Sequence, residues 1–289
     1  MVKSNLKEQK VIKKADLKVV DNNAVKTTAY SDINLKKWRE YDHIKTDTLW
    51  EFPNRLKEGG HSNEYHGNYI PQIAQQIYER YTKKNDIVLD LFFGSGTSGI
   101  EAINMGRRCI GVELKDELAE SVSEKFTPKQ LVTDVNIICA DSASEIAKEK
   151  IKARLDIMGA KKAQLLMLHP PYDDIIKFSD KKEDLCATTE EFYDLFEKVA
   201  KNGYDLLEKG RFACLIIGDK YANSQHIPLG FECMARMNKL GFITKAIIIK
   251  DMQGNERAKG KTANLWRYRA LAGGFYIFKH EYVMVFQKV

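Results

Sequence analysis

The sequence predicts an α/β fold in which helices cover both faces of a mostly parallel sheet. From Ile87 onward, short apolar runs alternate with segments of helical periodicity, which is the pattern of parallel strands joined by crossover helices. The last two apolar runs, 242–249 and 282–286, have no helical pattern between them. A connection without a crossover helix is most simply antiparallel, so the last strand is expected to run against the others.

The predicted elements follow one another closely along the chain. Besides those last two runs, we predict strands at 87–93, 109–114, 136–141, 163–169 and 211–218. Helices are predicted near 97–105, 116–126, 143–157, 189–208 and 229–240, and a further helix before the first strand carries Ile70, Ile73, Ile77 and Tyr81 at helical spacing. Residues 251–274, rich in basic and aromatic residues, are predicted to form a loop.

Composition indicates a globular protein with no membrane partner. Of the 289 residues, 44% are hydrophobic, which is enough for a sizeable core. No run approaches the roughly 18 apolar residues of a membrane span, and the first residues lack the apolar segment of a signal peptide. We therefore expect a cytoplasmic protein. Residues 1–48 are rich in lysine and weakly periodic, so we expect a basic, partly flexible arm before a single domain at 49–289.

Neither a disulfide nor a metal site is expected. The five cysteines are odd in number and scattered, and three of them lie inside strand-like runs. His61 and His66 are the best candidate metal ligands, but no other histidine, cysteine or acidic cluster joins them in the sequence. We expect surface or capping roles for these two histidines.

A glycine-rich turn follows the first strand of the alternating region. Gly94, Gly96 and Gly99 allow the backbone to turn sharply and to approach a ligand closely. Glu113, about 20 residues later at the end of the next strand, is placed to bind ribose hydroxyls. Asp141 closes the third strand, where it could accept from an adenine amine or cap the next helix. This arrangement predicts a site for an adenosine compound.

A second unusual turn, His169-Pro170-Pro171-Tyr172, follows the apolar run that ends at Leu168. Two prolines remove two N–H donors, stiffen the chain and leave carbonyl groups available as acceptors. A neutral imidazole can accept one hydrogen bond from an exocyclic amine, the Pro170 carbonyl can accept another, and Tyr172 can stack on the ring. The turn therefore suits a planar heterocycle that carries an amine.

Together the two turns resemble motifs of the amino-group DNA methyltransferases. Residues 89–97 resemble the S-adenosylmethionine-binding motif, and His169-Pro170-Pro171-Tyr172 is similar to the catalytic motif, in which Asp, Asn or Ser usually stands where this chain has His169. The resemblance covers about residue 50 to the end and implies a Rossmann-like sheet of seven strands with the last antiparallel. It implies cofactor contacts for Asp90, Phe92, Gly94, Gly96, Thr97, Glu113 and Asp141, and target-base contacts for His169, Pro170 and Tyr172.

The resemblance also implies a mechanism and a substrate. Hydrogen bonds from the target amine to His169 and to the Pro170 carbonyl would localise the nitrogen lone pair for direct methyl transfer to N6 of adenine or N4 of cytosine. The base would have to be flipped out of the duplex. Because His169 must be neutral to accept, we expect activity to fall on mild acidification.

The same resemblance suggests how nucleic acid is bound. The predicted loop before the last strand interleaves cations with aromatic residues, which can contact phosphates and stack on bases. The candidates are Arg257, Lys259, Lys261, Trp266 and Arg267. DNA is the expected partner, with a cognate restriction enzyme or a partner methyltransferase subunit as further candidates. Methylation of RNA, a dinucleotide-dependent oxidoreductase and a subunit without catalytic activity remain as alternatives.

Overall fold

The computed structural model describes residues 27–59, 61, 67–126, 134–171, 189–252 and 263–289. Its strands are β1 (Leu49–Trp50), β2 (Ile87–Asp90), β3 (Arg108–Glu113), β4 (Val135–Cys139), β5 (Ala163–Leu168), β6 (Leu207–Ile217), β7 (Lys220–Ala222), β8 (Gln225–Ile227), β9 (Phe242–Asp251) and β10 (His280–Lys288). The α-helices are α1 (Pro71–Tyr81), α2 (Thr97–Asn104), α3 (Asp116–Lys125), α4 (Glu145–Ile157), α5 (Thr189–Leu206), α6 (Leu229–Lys239) and α7 (Ala263–Gly273).

In the described part of the chain, eight strands form one sheet in the order β1-β9-β10-β6-β5-β2-β3-β4. Every neighbouring pair is parallel except those that include β10, which is antiparallel to both β6 and β9. The predicted α/β fold with a reversed last strand is therefore confirmed. The sheet has one strand more than the seven expected, because Leu49 and Trp50 pair with Ile249 and Lys250 at the edge.

Helices cover both faces of the sheet, and this explains why its central strands are apolar throughout. All four residues of β2 are buried, as a strand between two helical layers requires. On one face α1, α2 and α3 contribute Ile73, Ala102 and Val122 to the core. On the other face α4, α5 and α6 contribute buried apolar side chains such as Ile151 and Phe196. Of the helices that the described residues form, none combines the length and the apolar character needed to span a bilayer.

Residues 27–48, which the sequence analysis places in the arm before residue 49, make contacts with the sheet domain. Ser31 and Ile44 are buried, and the Tyr30 ring meets the ring of Phe212 edge-on with centroids 4.8 Å apart. The Asp32 carboxylate accepts a hydrogen bond of 2.6 Å from the backbone N–H of Lys84. These contacts are long-range, so the weak periodicity of the segment did not indicate them. Residues 1–26 lie outside the described residues.

The segment 251–274, predicted as a loop, also differs, since residues 263–273 form α7. The side chains of residues 265–273 are exposed or half-buried, and without a buried face the helix leaves no apolar periodicity in the sequence. The strand β9 ends and β10 begins at the same edge of the sheet as the carboxyl ends of β2, β3 and β5. The helix α7 therefore lies in a connection at that edge.

Gly111 in β3 shows how tightly one helix-covered face is packed. A Cβ atom at this position would overlap the ring of Phe93, which is itself buried. We expect Gly111→Ala to lower the free energy of unfolding by about 1–3 kcal/mol through overpacking, as measured by urea denaturation. The double variant with Phe93→Leu should lose less stability than the sum of the two single changes. Additive losses would contradict the overlap.

Candidate active site

A cleft of about 890 Å³, partly open to solvent, lies at the carboxyl ends of β2, β3 and β5. Seven of the predicted site residues line it, and they come from four separate turns of the chain: Phe92, Gly94, Thr97, Glu113, Asp141, His169 and Pro170. Clefts at this position are where α/β sheets bind small ligands. The structure thus brings the glycine turn and the proline turn to one site, as the sequence predicted.

The glycine turn needs its glycines for different reasons. Gly94 and Gly96 both have positive φ, +51° and +86°, which L side chains rarely adopt. Gly94 lines the cleft, whereas Gly96 lies behind its wall, where an added Cβ would come within 3.0 Å of a Val122 methyl. Gly96 is also the residue before the first turn of α2, and its contact with the cofactor stays a prediction.

Asp90 is likewise a buried support for the cleft and not part of its lining. Its carboxylate accepts hydrogen bonds from the Phe92 N–H at 2.9 Å and from the Ser98 hydroxyl. Because Ser98 uses its one hydrogen for Asp90, the Tyr69 hydroxyl, 2.6 Å away, donates to Ser98. Burial raises the pKa of the Asp90 carboxyl, and the two hydrogen bonds and the charge of His169 oppose that rise. Asp90 thereby holds the glycine turn, α2 and the segment before α1 together.

Glu113 ends β3 with its carboxylate at the cleft. One oxygen accepts from the Gly94 N–H and the other from the Lys115 N–H, both at 2.9 Å. Burial raises the pKa of this carboxyl, and the backbone hydrogen bonds lower it. Each carboxylate oxygen has two lone pairs, so the oriented group can still accept hydrogen bonds from two vicinal hydroxyls.

Asp141 follows β4, the neighbour of β3 in the sheet, and also lines the cleft. Its Oδ1 accepts from the Ala143 N–H at 2.8 Å, which shapes the turn before α4. The N-cap of α4 is Ser144, whose hydroxyl accepts from the Ala147 N–H. Of the two roles predicted for Asp141, capping of α4 belongs to Ser144. The ligand role of Asp141 stays a prediction.

The proline turn presents buried Pro170 and half-buried His169 to the cleft. His169 Nδ1 lies 3.1 Å from the carbonyl oxygen of Ile216, and Nε2 lies 2.8 Å from that of Gly67. Carbonyl oxygens only accept, so both ring nitrogens are placed to donate. The predicted role of His169 as a neutral acceptor does not fit this arrangement. Tyr172 lies outside the described residues.

Sequence reasoning assigned no site role to residues 67–69, although all three line the cleft. Asn68 Nδ2 donates to the Ser95 hydroxyl at 2.5 Å, and Tyr69 meets the His169 ring edge-on at 5.3 Å. The segment precedes α1 and belongs to no strand, so only the polar pair Asn68 and Tyr69 before an apolar helix could have indicated it.

His61 has a different role from the surface or capping role expected. Its Nε2 lies 2.6 Å from Oε1 of Glu101, and the two side chains are 2% and 1% exposed. The pair fastens the segment before α1 to α2. Glu101 lies at a helical position between apolar residues, which is why the sequence did not mark it as a partner.

Of the predicted nucleic-acid contacts, Trp266 and Arg267 lie on α7, whereas Arg257, Lys259 and Lys261 lie outside the described residues. Arg267 is exposed, and the guanidinium of Arg269 lies 5.3 Å from the centre of the Trp266 ring. This surface is at the same sheet edge as the cleft.

Comparison with known proteins accounts for this arrangement. The profile of a family described as DNA methylase, with N6 and N4 amino-group specificity, matches residues 3–124 and 163–289. The chain belongs to this amino-group DNA methylase family. The match includes the glycine turn, Glu113 and the proline turn, so the resemblance seen in the sequence is confirmed for the family.

Individual relatives match shorter stretches. The probable type III restriction-modification enzyme HindVI Mod subunit of Haemophilus influenzae is 34% identical over 100 residues, 33% of this chain and 13% of that protein. The type II methyltransferase M.MjaII of Methanocaldococcus jannaschii is 31% identical over 84 residues, 27% and 16% of the two chains. The DNA adenine methyltransferase YhdJ of Escherichia coli is 32% identical over 112 residues, 38% and 35%. The matches thus span about a third or less of these relatives.

Proposed function

We propose that this DNA methylase transfers a methyl group from S-adenosylmethionine to the exocyclic amine of adenine or cytosine in DNA. The observation that carries the proposal is the single cleft that joins the glycine turn, the Glu113 carboxylate and the proline turn. Family membership supports it. A dinucleotide-dependent oxidoreductase would leave the proline turn without a role.

The lining of the cleft suits S-adenosylmethionine. Glu113 would accept from the ribose hydroxyls, Asp141 from the adenine amine, and Phe92 would face the sulfonium, which aromatic rings attract. Gly94 and Thr97 would border the methionine part, and Asp90 and Gly96 would support that turn from behind. The bound cofactor supplies an activated methyl group for direct transfer to a nucleophile.

The chain itself would position and polarise the target amine. That nitrogen is a poor nucleophile because its lone pair is delocalised into the ring, and a hydrogen bond to the Pro170 carbonyl would localise it. Tyr172 is proposed to stack on the base, which must be flipped out of the duplex to enter the cleft. Positioning of the two reactants supplies much of the rate enhancement, and no covalent enzyme intermediate is required.

The test is methylation by the purified chain. Labelled S-adenosylmethionine and unmethylated DNA should yield N6-methyladenine or N4-methylcytosine after digestion to nucleosides and mass spectrometry. An RNA arm tests the alternative substrate, and Glu113→Ala serves as the inactive control. Cofactor binding without methylated product from either nucleic acid would instead favour a subunit that serves a partner methyltransferase.

We also propose that α7 contacts DNA phosphates. Replacing Arg267 and Arg269 by alanine should flatten the plot of log K against log salt by about 1–2 units, because each phosphate contact contributes about 0.9. The measurement is fluorescence anisotropy of labelled DNA. The control removes two lysines from α4 and its following turn, Lys152→Ala with Lys161→Ala, which precede the amino end of β5. An equal change in both double variants would contradict a specific role for α7.

The partner is proposed to include a restriction system. The Haemophilus influenzae relative is named as the modification subunit of a type III restriction-modification enzyme. Since this chain matches part of that subunit only, association with a cognate restriction enzyme or with a second methyltransferase subunit is a proposal, as is action on DNA in the cytoplasm. Co-purification from the native cells would test the association.

A further inference from the structure

The hydrogen-bonding groups next to the His169 ring suit one of its protonation states better than the other. Its Nδ1 and Nε2 lie 3.1 Å and 2.8 Å from the carbonyl oxygens of Ile216 and Gly67. A neutral imidazole has a single N–H, so it would leave a nitrogen lone pair facing a carbonyl lone pair on one side. The imidazolium ion donates on both sides, and hydrogen bonds from a charged donor are stronger than those from a neutral one.

The described groups near the ring include one of opposite charge. From β2, the Asp90 carboxylate interacts with the charge of His169. From the segment before α1, the Tyr69 ring lies edge-on to the imidazole at 87°. Near Asp90, on β3 and β6, burial raises the pKa of the Cys109 and Cys214 thiols, which keeps them neutral. Among the described residues around this part of the cleft, α5 contributes apolar side chains only. Within the described part of the chain, Asp90 thus places an opposite charge near the ring.

The two carbonyl partners of His169 belong to parts of the chain that are 149 residues apart (216 minus 67). Gly67 precedes Asn68 and Tyr69, and these side chains bind Ser95 and Ser98 next to the glycine turn. All three residues of this segment line the cleft. Through its contacts with the carbonyls of Gly67 and Ile216, His169 therefore links one wall of the proposed cofactor site to the end of β6.

We propose that His169 is a positioning residue that acts as an imidazolium ion, tying the 67–69 segment to the end of β6 and leaving the target amine to the Pro170 carbonyl. This proposal rests on the proposed function, and it assigns His169 a donor role where the usual Asp, Asn or Ser of the motif offers an acceptor. Its pH dependence is the reverse of that of an acceptor. Loss of the proton as pH rises releases the segment, whereas mild acid maintains it.

The first test reads the protonation state directly. Long-range ¹H–¹⁵N spectra of the protein labelled in histidine, with the His169 signals assigned by their absence in His169→Asn, should show both ring nitrogens protonated at pH 6. A ring that stays neutral from pH 5.5 upward would overturn the proposal. This readout needs neither cofactor nor DNA.

The second test measures S-adenosylmethionine binding by calorimetry between pH 6 and pH 8.5. The ratio of the wild-type dissociation constant to that of His169→Asn should rise about 10-fold or more over this range, because a charge-assisted hydrogen bond is worth about 1.5–3 kcal/mol and 1.4 kcal/mol is a factor of ten. The ligand and the other histidines are the same in both proteins, so the effects of their titration on the dissociation constant cancel in the ratio. Circular dichroism confirms that each variant is folded.

The substitution His169→Asp distinguishes the proposed donor role from the acceptor role that is usual in the motif. It restores the acceptor that is usual in the motif, yet it donates to neither carbonyl. We expect it to bind S-adenosylmethionine more weakly than His169→Asn, which keeps an amide donor. Wild-type affinity and activity in His169→Asp would overturn the positioning role. A protein with the expected pH dependence that methylates no nucleic acid would instead overturn the proposed function alone.

Discussion

Glu113→Gln is expected to weaken S-adenosylmethionine binding about 10- to 100-fold, since hydrogen bonds to a charged group are worth about 1.5–3 kcal/mol. The carboxylate is held in place by the backbone N–H groups of Gly94 and Lys115. An amide would present its NH₂ to one of these donors and lose both the charge and the geometry that the ribose hydroxyls require. Calorimetric titration measures the effect.

In Glu113→Gln the free energy of unfolding should change less than the affinity for S-adenosylmethionine. Burial raises the pKa of Glu113, so the folded protein disfavours the charged form and the group contributes more stability at acid pH than at neutral pH. Removing the charge offsets the lost hydrogen bonds, and the unfolding free energy without ligand should change by about 1 kcal/mol or less. Glu117→Gln, exposed on α3, is the matched control and should alter neither quantity. Unchanged cofactor affinity in Glu113→Gln would remove this residue from the site.

Glu281→Ala is expected to lower the free energy of unfolding by about 3–5 kcal/mol, because it leaves the ammonium of Lys250 buried without its anion. The two residues face each other across β10 and β9, with Nζ and Oε1 2.9 Å apart and side chains 3% and 10% exposed. Chemical denaturation measures the loss. The pair lies close to the ends of the two strands that α7 connects, so the surface proposed to bind DNA should also become less ordered.

A double variant shows whether the stability loss in Glu281→Ala comes from an unpaired buried charge or from lost packing. Lys250→Met with Glu281→Leu removes both charges and should recover most of the stability lost in the single variant, since buried ion pairs can often be replaced by apolar residues. Glu149→Ala, which breaks an exposed pair with Lys152 on α4, should cost less than about 1 kcal/mol. If the double variant were as unstable as Glu281→Ala, packing at position 281 would be the cause.

The parts of the fold that the sequence predicted are those in which local pattern and tertiary position agree. The strands β2 and β5 are buried on both faces, so they appear as continuous apolar runs, and α5 has one buried face, so it shows helical periodicity. Glycine at positions that require positive φ identified the turn after β2. For the same reason, the residues at the strand ends that line the cleft could be named in advance.

The remaining features depend on contacts between distant parts of the chain. In the described residues, the ring nitrogens of His169 contact backbone carbonyl groups, which every residue has, so no sequence pattern could reveal them. Residues 265–273 of α7 form no buried face, and β1 is two residues long, so neither produces a detectable period. Sequence patterns therefore identified which side chains meet at the site, but not the backbone groups that orient them.

The pairing of β1 with β9 also bears on how this chain can associate with other proteins. An outer strand with unsatisfied N–H and C=O groups can serve as a template for strands of other molecules, which leads to aggregation. The carbonyl of Thr48 accepts from the N–H of Ile249, and Leu49 and Trp50 continue the ladder. Part of the outer edge of β9 is therefore already paired with a strand of the same chain. Where β1 covers β9, another chain could extend the sheet only by pairing with β1 itself, which is two residues long.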